Sequence, residues 1–129
     1  MTVIVVINKP ELDKFLKSPT GQTGMYLKKR GDLIQAAARR QVGKQTGFLA
    51  GSIHVRQSRQ EYGQKMEIGS SLKYALMHHE GTKPHLIFPR RARALRFHSG
   101  GRVVYTRMVK HPGTRPNRYL KDNLFLILV

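Results

Sequence analysis

With 129 residues, the chain fits one domain over residues 1–129 with one modest core. Hydrophobic residues make up 40% and charged residues 24%, a balance that speaks for a folded chain and against a disordered one, and the absence of cysteine excludes a disulfide framework and a thiolate metal site. The charge is lopsided: 24 Lys and Arg against 7 Asp and Glu give a formal +17, and such self-repulsion opposes compaction unless something anionic lies alongside.

Val3-Ile4-Val5-Val6-Ile7 is β-branched throughout and ends at Asn8-Lys9-Pro10, which predicts a short strand. This run is far shorter than the roughly 20 residues that span a bilayer, and no basic segment precedes it, so no membrane span and no signal peptide are expected. Glu11 to Lys17 forms a brief predicted helix with Leu12, Phe15 and Leu16 on one side, broken at Ser18-Pro19-Thr20-Gly21. Thr23 to Val42 is the strongest predicted helix. Thr23 offers an N-cap, Leu27, Ile34, Ala38 and Val42 recur at helical spacing, and Gly43 is placed to end it.

After a turn at Gln45-Thr46-Gly47 the period changes to two, so Leu49 to Arg56 reads as a half-buried strand. Glu61-Tyr62-Gly63 bends into a return strand over Lys65 to Gly69, and Leu72 to His79 supplies one or two helical turns. Leu86 to Phe88 and Ala94 to Phe97 are short strands, and Gly100-Gly101 makes a hairpin into Arg102 to Val109. Pro116 opens a last helix in which Tyr119, Leu120, Leu124, Ile127 and Leu128 share a face. The expected class is α+β: a mostly antiparallel sheet with a long helix from the N-terminal half and a C-terminal helix packed on it.

The positive charge is concentrated. Between Glu80 and Asp122 there is no acid, and those 41 residues hold eleven cations: Lys83, Arg90, Arg91, Arg93, Arg96, Arg102, Arg107, Lys110, Arg115, Arg118 and Lys121. A polyanion or acidic neighbouring subunits would neutralise such a stretch; the bland alternative is a solvated basic surface. Phe88, Phe97, Tyr105 and Tyr119 interleave with the cations and could stack bases, but their spacing reads first as core packing. Helix-turn-helix, zinc-finger and RNA-recognition signatures are lacking, so any nucleic-acid contact is expected at phosphates, independent of sequence.

His79-Glu80-Gly81-Thr82-Lys83-Pro84-His85 is echoed by His111-Pro112-Gly113-Thr114-Arg115-Pro116-Asn117. Both fit H-x-G-T-[KR]-P-[HN], with Gly for positive φ and Pro to fix the exit, so two similar turns are expected. His78, His79, Glu80 and His85 invite a metal test, but adjacent histidines diverge and no second acid is near, so no metal is expected. Metal-dependent nucleases usually need clustered carboxylates or a His-Asn-His arrangement, and here the seven acids are scattered, with none between Glu80 and Asp122 where histidine and arginine are densest. A metal-free ribonuclease would fall to His85 or His111 beside arginines. With no nucleophile elbow and no phosphate-binding glycine loop, neither catalytic residues nor a cofactor are expected.

Several segments in order carry a resemblance. They are Thr46-Gly47-Phe48-Leu49-Ala50-Gly51-Ser52-Ile53, Ile68-Gly69-Ser70, Tyr74-Ala75 followed by His79-Glu80-Gly81-Thr82, Pro84-His85, Leu95-Arg96-Phe97, and His111 through Leu120. Together they resemble the head–tail joining or tail-completion family of phages with long non-contractile tails, across residues 24 to 128. The family's Pro-Phe-Leu before its last helix is Asn117-Arg118-Tyr119-Leu120 here, preserving only an aromatic followed by Leu. The resemblance implies a structural virion protein of the phage neck, assembled in the host cytoplasm, with no catalytic residues. It would form a homo-oligomeric ring, sixfold by expectation, between adjacent neck and tail-tube proteins and around the genomic DNA channel. On that expectation Lys83, Arg90, Arg91, Arg93, Arg96, Arg102 and Arg107 face DNA or an acidic partner ring. Thr82, Pro84, His85, Thr114, Arg115, Pro116 and Asn117 would shape inter-subunit loops, with ordinary intrachain turns as the alternative. A basic, sequence-independent nucleic-acid-binding protein of other origin is the second functional expectation.

Overall fold

The computed structural model describes residues 1–43 and 46–128, so Gln45 of the predicted turn lies outside the described residues. In chain order the elements are α1 (Lys9–Lys17), α2 (Gln22–Gln41), α3 (Phe48–Ser52), β1 (Ile53–Gln60), β2 (Gly63–Ser70), α4 (Ala75–Glu80), β3 (His85–Ile87), β4 (Leu95–Ser99), β5 (Arg102–Thr106), β6 (Val109–His111) and a 3-10 helix (Lys121–Ile127). The fold is α+β. Its described strands pair as three antiparallel ribbons, β1–β2, β3–β6 and β4–β5. Among the described residues no helix is long and apolar enough to cross a membrane. Two compact units can be distinguished, one of Met1–Ala75 with Arg118–Val129 and one of Leu76–Asn117.

In the first unit, α1 begins two residues before the predicted start. Asn8 accepts a hydrogen bond from the Glu11 amide and Pro10 occupies the first turn, so the triplet predicted to stop a strand instead starts a helix. Val3 to Ile7, predicted as a strand, pairs with no strand among the described residues and stays 64–87% exposed. Its β-branched residues favour extended backbone, but a strand also needs a partner for its amides and carbonyls.

The long helix α2 is capped by Gly21 and not by Thr23, and Gly43, at φ +78°, follows its end as expected. Ile34, Ala38 and Val42 form its buried stripe, with Leu27 half-buried. Gly31 lies on the same side, and a Cβ there would meet Met66 Sδ at 2.5 Å, so this residue lets α2 sit close on the β1–β2 ribbon. Leu49 to Ser52, predicted as the start of a strand, is helical in α3. Gly47 adopts a left-handed conformation at φ +81°, and the Ser52 hydroxyl donates to the Leu49 carbonyl at 2.7 Å, which holds the helical turn.

From Ile53 the period-two pattern is realised. In β1–β2, Val55 lies opposite Ile68 and Gln57 opposite Met66 on the side covered by α2, while His54, Arg56, Lys65 and Glu67 are exposed on the other. Lys65 sits 2.6 Å from Glu67 and holds that carboxyl below its ordinary pKa.

The core cluster joins Ala38, Val42, Ala50, Ile53 and Tyr119, with Leu49, Ile68 and Leu120 against it. Tyr119 is buried, its hydroxyl donates to the Ala75 carbonyl at 3.3 Å, and burial pushes its phenol pKa up. Pro116 does not open the last helix, because residues 115–118 are irregular and the helical stretch begins at Lys121 in 3-10 form. The three-residue repeat aligns Leu124 with Ile127, and both line an apolar groove with Leu27, Ile34, Met66 and Ile68. Tyr26 donates to the Ile127 carbonyl at 2.9 Å and ties this helix to α2.

Ile53→Ala is expected to lower unfolding free energy by about 2–4 kcal/mol, through lost burial and an unfilled cavity. Tyr119→Phe, which removes one neutral hydrogen bond and keeps the ring, should cost only about 1 kcal/mol. Urea unfolding followed by circular dichroism measures both.

Candidate polyanion interface

The second unit, Leu76–Asn117, carries the candidate site. Within it the two echoed heptapeptides face one another. Thr82 and Thr114 exchange both backbone hydrogen bonds at 3.1 Å and their hydroxyls lie 3.0 Å apart. His85 pairs with His111 in β3–β6, and the Asn117 amide donates to the His78 carbonyl. The two copies are therefore related by a local pseudo-twofold axis between the threonines. Gly81 and Gly113 occupy equivalent places with φ +74° and +86°. A Cβ on Gly81 would meet the Thr114 carbonyl oxygen at 2.6 Å, and one on Gly113 would collide with that of Thr82. The motif is thus spent on an intrachain clasp at Thr82 and Thr114. Lys83, Pro84, His85, Arg115 and Pro116 remain exposed around it, and Asn117 is half-buried.

Beyond β3 the chain bends through Pro89 and residues 90–94 before entering β4. β4 and β5 are joined at Gly100-Gly101, where φ is +56° and +75°, as a tight hairpin with right-handed strand twist requires. One side of this hairpin carries the half-buried Leu95, Val104 and Thr106 with Phe97. The other pairs Arg96 with Tyr105 and His98 with Val103, all exposed.

The unit holds nine Lys and Arg against one acid, Glu80. All nine are exposed: Lys83, Arg90, Arg91, Arg93, Arg96, Arg102, Arg107, Lys110 and Arg115. Among the described residues none of their side chains joins an ion pair, whereas Lys17, Lys28 and Lys65 of the first unit each reach an acid. Guanidinium groups held this way can grip phosphate or carboxylate oxygens in a bidentate manner, with little competition from the protein's own acids.

The aromatic residues divide. Tyr119 is core, but Phe88 at 57%, Tyr105 at 67% and Phe97 at 37% exposure are not packed inside as their spacing suggested. Alternation marks a core face only where another layer covers it: Tyr105 lies with Arg96 on the exposed side of β4–β5, while Phe97 is on the opposite side with Leu95 and Val104. Tyr105, exposed and cross-strand from Arg96, is thus a second component of the site that periodicity concealed.

His85 and His111 are cross-strand neighbours with ring centroids 5.0 Å apart and planes tilted by 31°. His85 Nδ1 donates to the Lys83 carbonyl at 2.8 Å, and His111 Nδ1 accepts from the Gly113 amide at 3.0 Å. His79 is buried with Nδ1 2.8 Å from Glu80 Oε1. Among the described residues no three His, Asp or Glu side chains converge on a point that could hold a metal ion.

Gly113→Ala should cost about 1–3 kcal/mol from its positive φ alone, with the collision at Thr82 in addition. Gly100→Ala, at a positive φ but with nothing within 4 Å of the new Cβ, should cost less. Hydrogen exchange at the Thr82 and Thr114 amides should accelerate in the first variant and stay unchanged in the second.

No family model, curated protein or solved structure matches this chain.

Proposed function

We propose that the chain is a structural, non-catalytic subunit of a phage neck, a tail-completion, terminator or connector protein that joins head to tail in a homo-oligomeric ring around the DNA exit channel. The observation that carries this reading is the set of nine exposed cations in one unit with no acidic partner of their own. In a ring of six, that unit would present dozens of positive charges to DNA or to an acidic neighbouring ring, which would offset the self-repulsion of a +17 chain. The resemblance of the ordered motifs to those of head–tail joining proteins points to the same reading.

The test has two parts. Electron microscopy of the purified protein should show closed rings with a central hole. In virion assembly, changing Arg90, Arg91 and Arg93 together to Glu should block head–tail joining while leaving the folded state intact by circular dichroism. Normal virion yield from that variant would refute the role assigned to these arginines.

A second reading, a basic nucleic-acid-binding protein without sequence preference, is favoured by the exposure of Phe88, Phe97 and Tyr105 beside the arginines. The two readings separate on single strands. Stacking by a binding protein would make Tyr105→Ala cost about 1–3 kcal/mol in affinity for a single strand. A channel subunit contacting duplex phosphates should lose almost nothing on that change. It should instead show a log–log salt slope that becomes shallower by roughly 0.9 for each phosphate-contacting arginine removed. Fluorescence anisotropy with single- and double-stranded DNA across a salt series distinguishes them.

A further inference from the structure

We propose that Val3–Ile7 is an intermolecular strand, which pairs with the outer edge of β1 in a second copy of this chain, so that each copy gives one strand and receives one. The proposal deepens the ring reading and rests on it for closure of the contact into a ring; the pairing itself needs only two copies.

The donor is defined by its chemistry. Five successive β-branched residues stand 64–87% exposed, outside any strand, and end at the Asn8 cap of α1. The run is apolar on both sides, with Val3, Val5 and Ile7 in one row and Ile4 and Val6 in the other. Strands of that kind are covered on both faces. The chain's own β1–β2 ribbon offers cover on one face only, from α2, because its other face exposes His54, Arg56, Lys65 and Glu67. Added to the β1 edge of any copy, the segment has one row covered by that copy's α2 and the other on the polar face, so the pairing covers one apolar row and satisfies the backbone.

The acceptor is present in every copy. β1 and β2 form a two-stranded ribbon, and among the described residues neither outer edge is paired. Such an edge is a template for strand addition. The edge of β2 is approached by α1, where Gln64 Nε2 donates to the Lys17 carbonyl. An open cleft lies between α2 and the β1 side of the ribbon, lined by Lys28, Asp32 and Gln35 of α2, His54, Val55 and Gln57 of β1, and Met66 of β2. β1 is eight residues long, enough to seat a five-residue strand within its length.

Charge in the donor segment does not oppose its contact with a second copy of this chain. Two +17 chains repel, yet residues 2–8 carry no ionisable side chain, so this contact brings no further like charge into the interface. The donor and acceptor are different surfaces, which makes the contact heterologous and able to close into a ring.

The chain has no cysteine, so engineered disulfides report the pairing directly. A tagged Val5→Cys protein is mixed with untagged Arg56→Cys, Ser58→Cys or Gln60→Cys protein, oxidised, and run on a non-reducing gel. At least one β1 position should give a hybrid disulfide dimer, roughly tenfold above an Asp13→Cys control, because pairing raises the local thiol concentration. Val5→Asp should shift the assembly to monomers in light scattering, with an unchanged unfolding midpoint for the monomer. If Val5→Asp assembles as the parent does and no hybrid forms, the strand proposal fails while the ring reading stands. A Val5→Cys/Ser58→Cys chain that closes only on itself would likewise overturn the proposal, by placing the segment on its own ribbon. A parent protein that stays monomeric at all concentrations and gives no hybrid would remove both readings.

Discussion

Ile53 stands where α3 ends and β1 begins, and the first unit is organised around it. Its side chain is fully buried among Ala38, Val42, Ala50 and Tyr119. Its carbonyl accepts from Gln35 Nε2 and Arg39 Nη2, each at 2.8 Å, so two side chains of α2 are fastened to the point at which the backbone changes from helical to extended. Gly31 permits the close approach that these bonds require. The 3-10 helix is held to the same helix through Tyr26, and through Asn123, whose side chain donates to Gln41 Oε1 and the Tyr119 carbonyl. Removing the contact at Ile53 would therefore loosen helix, ribbon and C-terminal segment together.

The core built around that contact is small in volume. Among the described residues its fully or nearly buried apolar side chains are those of Ile34, Ala38, Val42, Ala50, Ile53, Ala75 and Tyr119, of which three are alanines. Burial on this scale supplies limited stabilisation, while the surface retains two features that water does not favour. One is the β-branched run near the start; the other is a basic lobe with exposed aromatic rings. Both are surfaces whose free energy falls on association, the first by covering apolar area and the second by meeting anions. This is the common physical ground for reading the chain as a component of an assembly.

The second unit obtains order by a different route. It has little buried apolar surface, and its organisation rests on backbone exchange between two copies of one short motif. Threonine supplies a hydroxyl contact across the axis, glycine removes the Cβ that would strike the opposite carbonyl, and proline sets the exit on each side. The clasp brings residues 32 apart in sequence together and leaves the intervening segment, with Arg90 to Arg107, displayed outward. Positional order in the cationic loop is thus purchased with very few residues.

The sequence alone determined the local devices and the charge. The α2 stripe, the Gly43 stop, the bend at Glu61-Tyr62, the Gly100-Gly101 hairpin and the cationic stretch all depend on spacing or on intrinsic residue conformation, and each was legible without contacts. The extent of other elements was not legible. Leu49 to Ser52 alternates like a strand, yet a serine back-bond and a left-handed glycine make it a helical turn; Pro116 is a helix starter by propensity, yet residues 115–118 stay irregular and only the segment from Lys121 coils. Exposure was undecided as well, since alternating or β-branched residues are buried only if another layer exists to cover them. Tertiary structure alone therefore decided that Tyr119 is core while Tyr105 is surface, that the two heptapeptides face each other, and that Val3 to Ile7 has no strand partner among the described residues. Periodicity specifies which side chains share a face, but the covering of that face is a property of what packs against it.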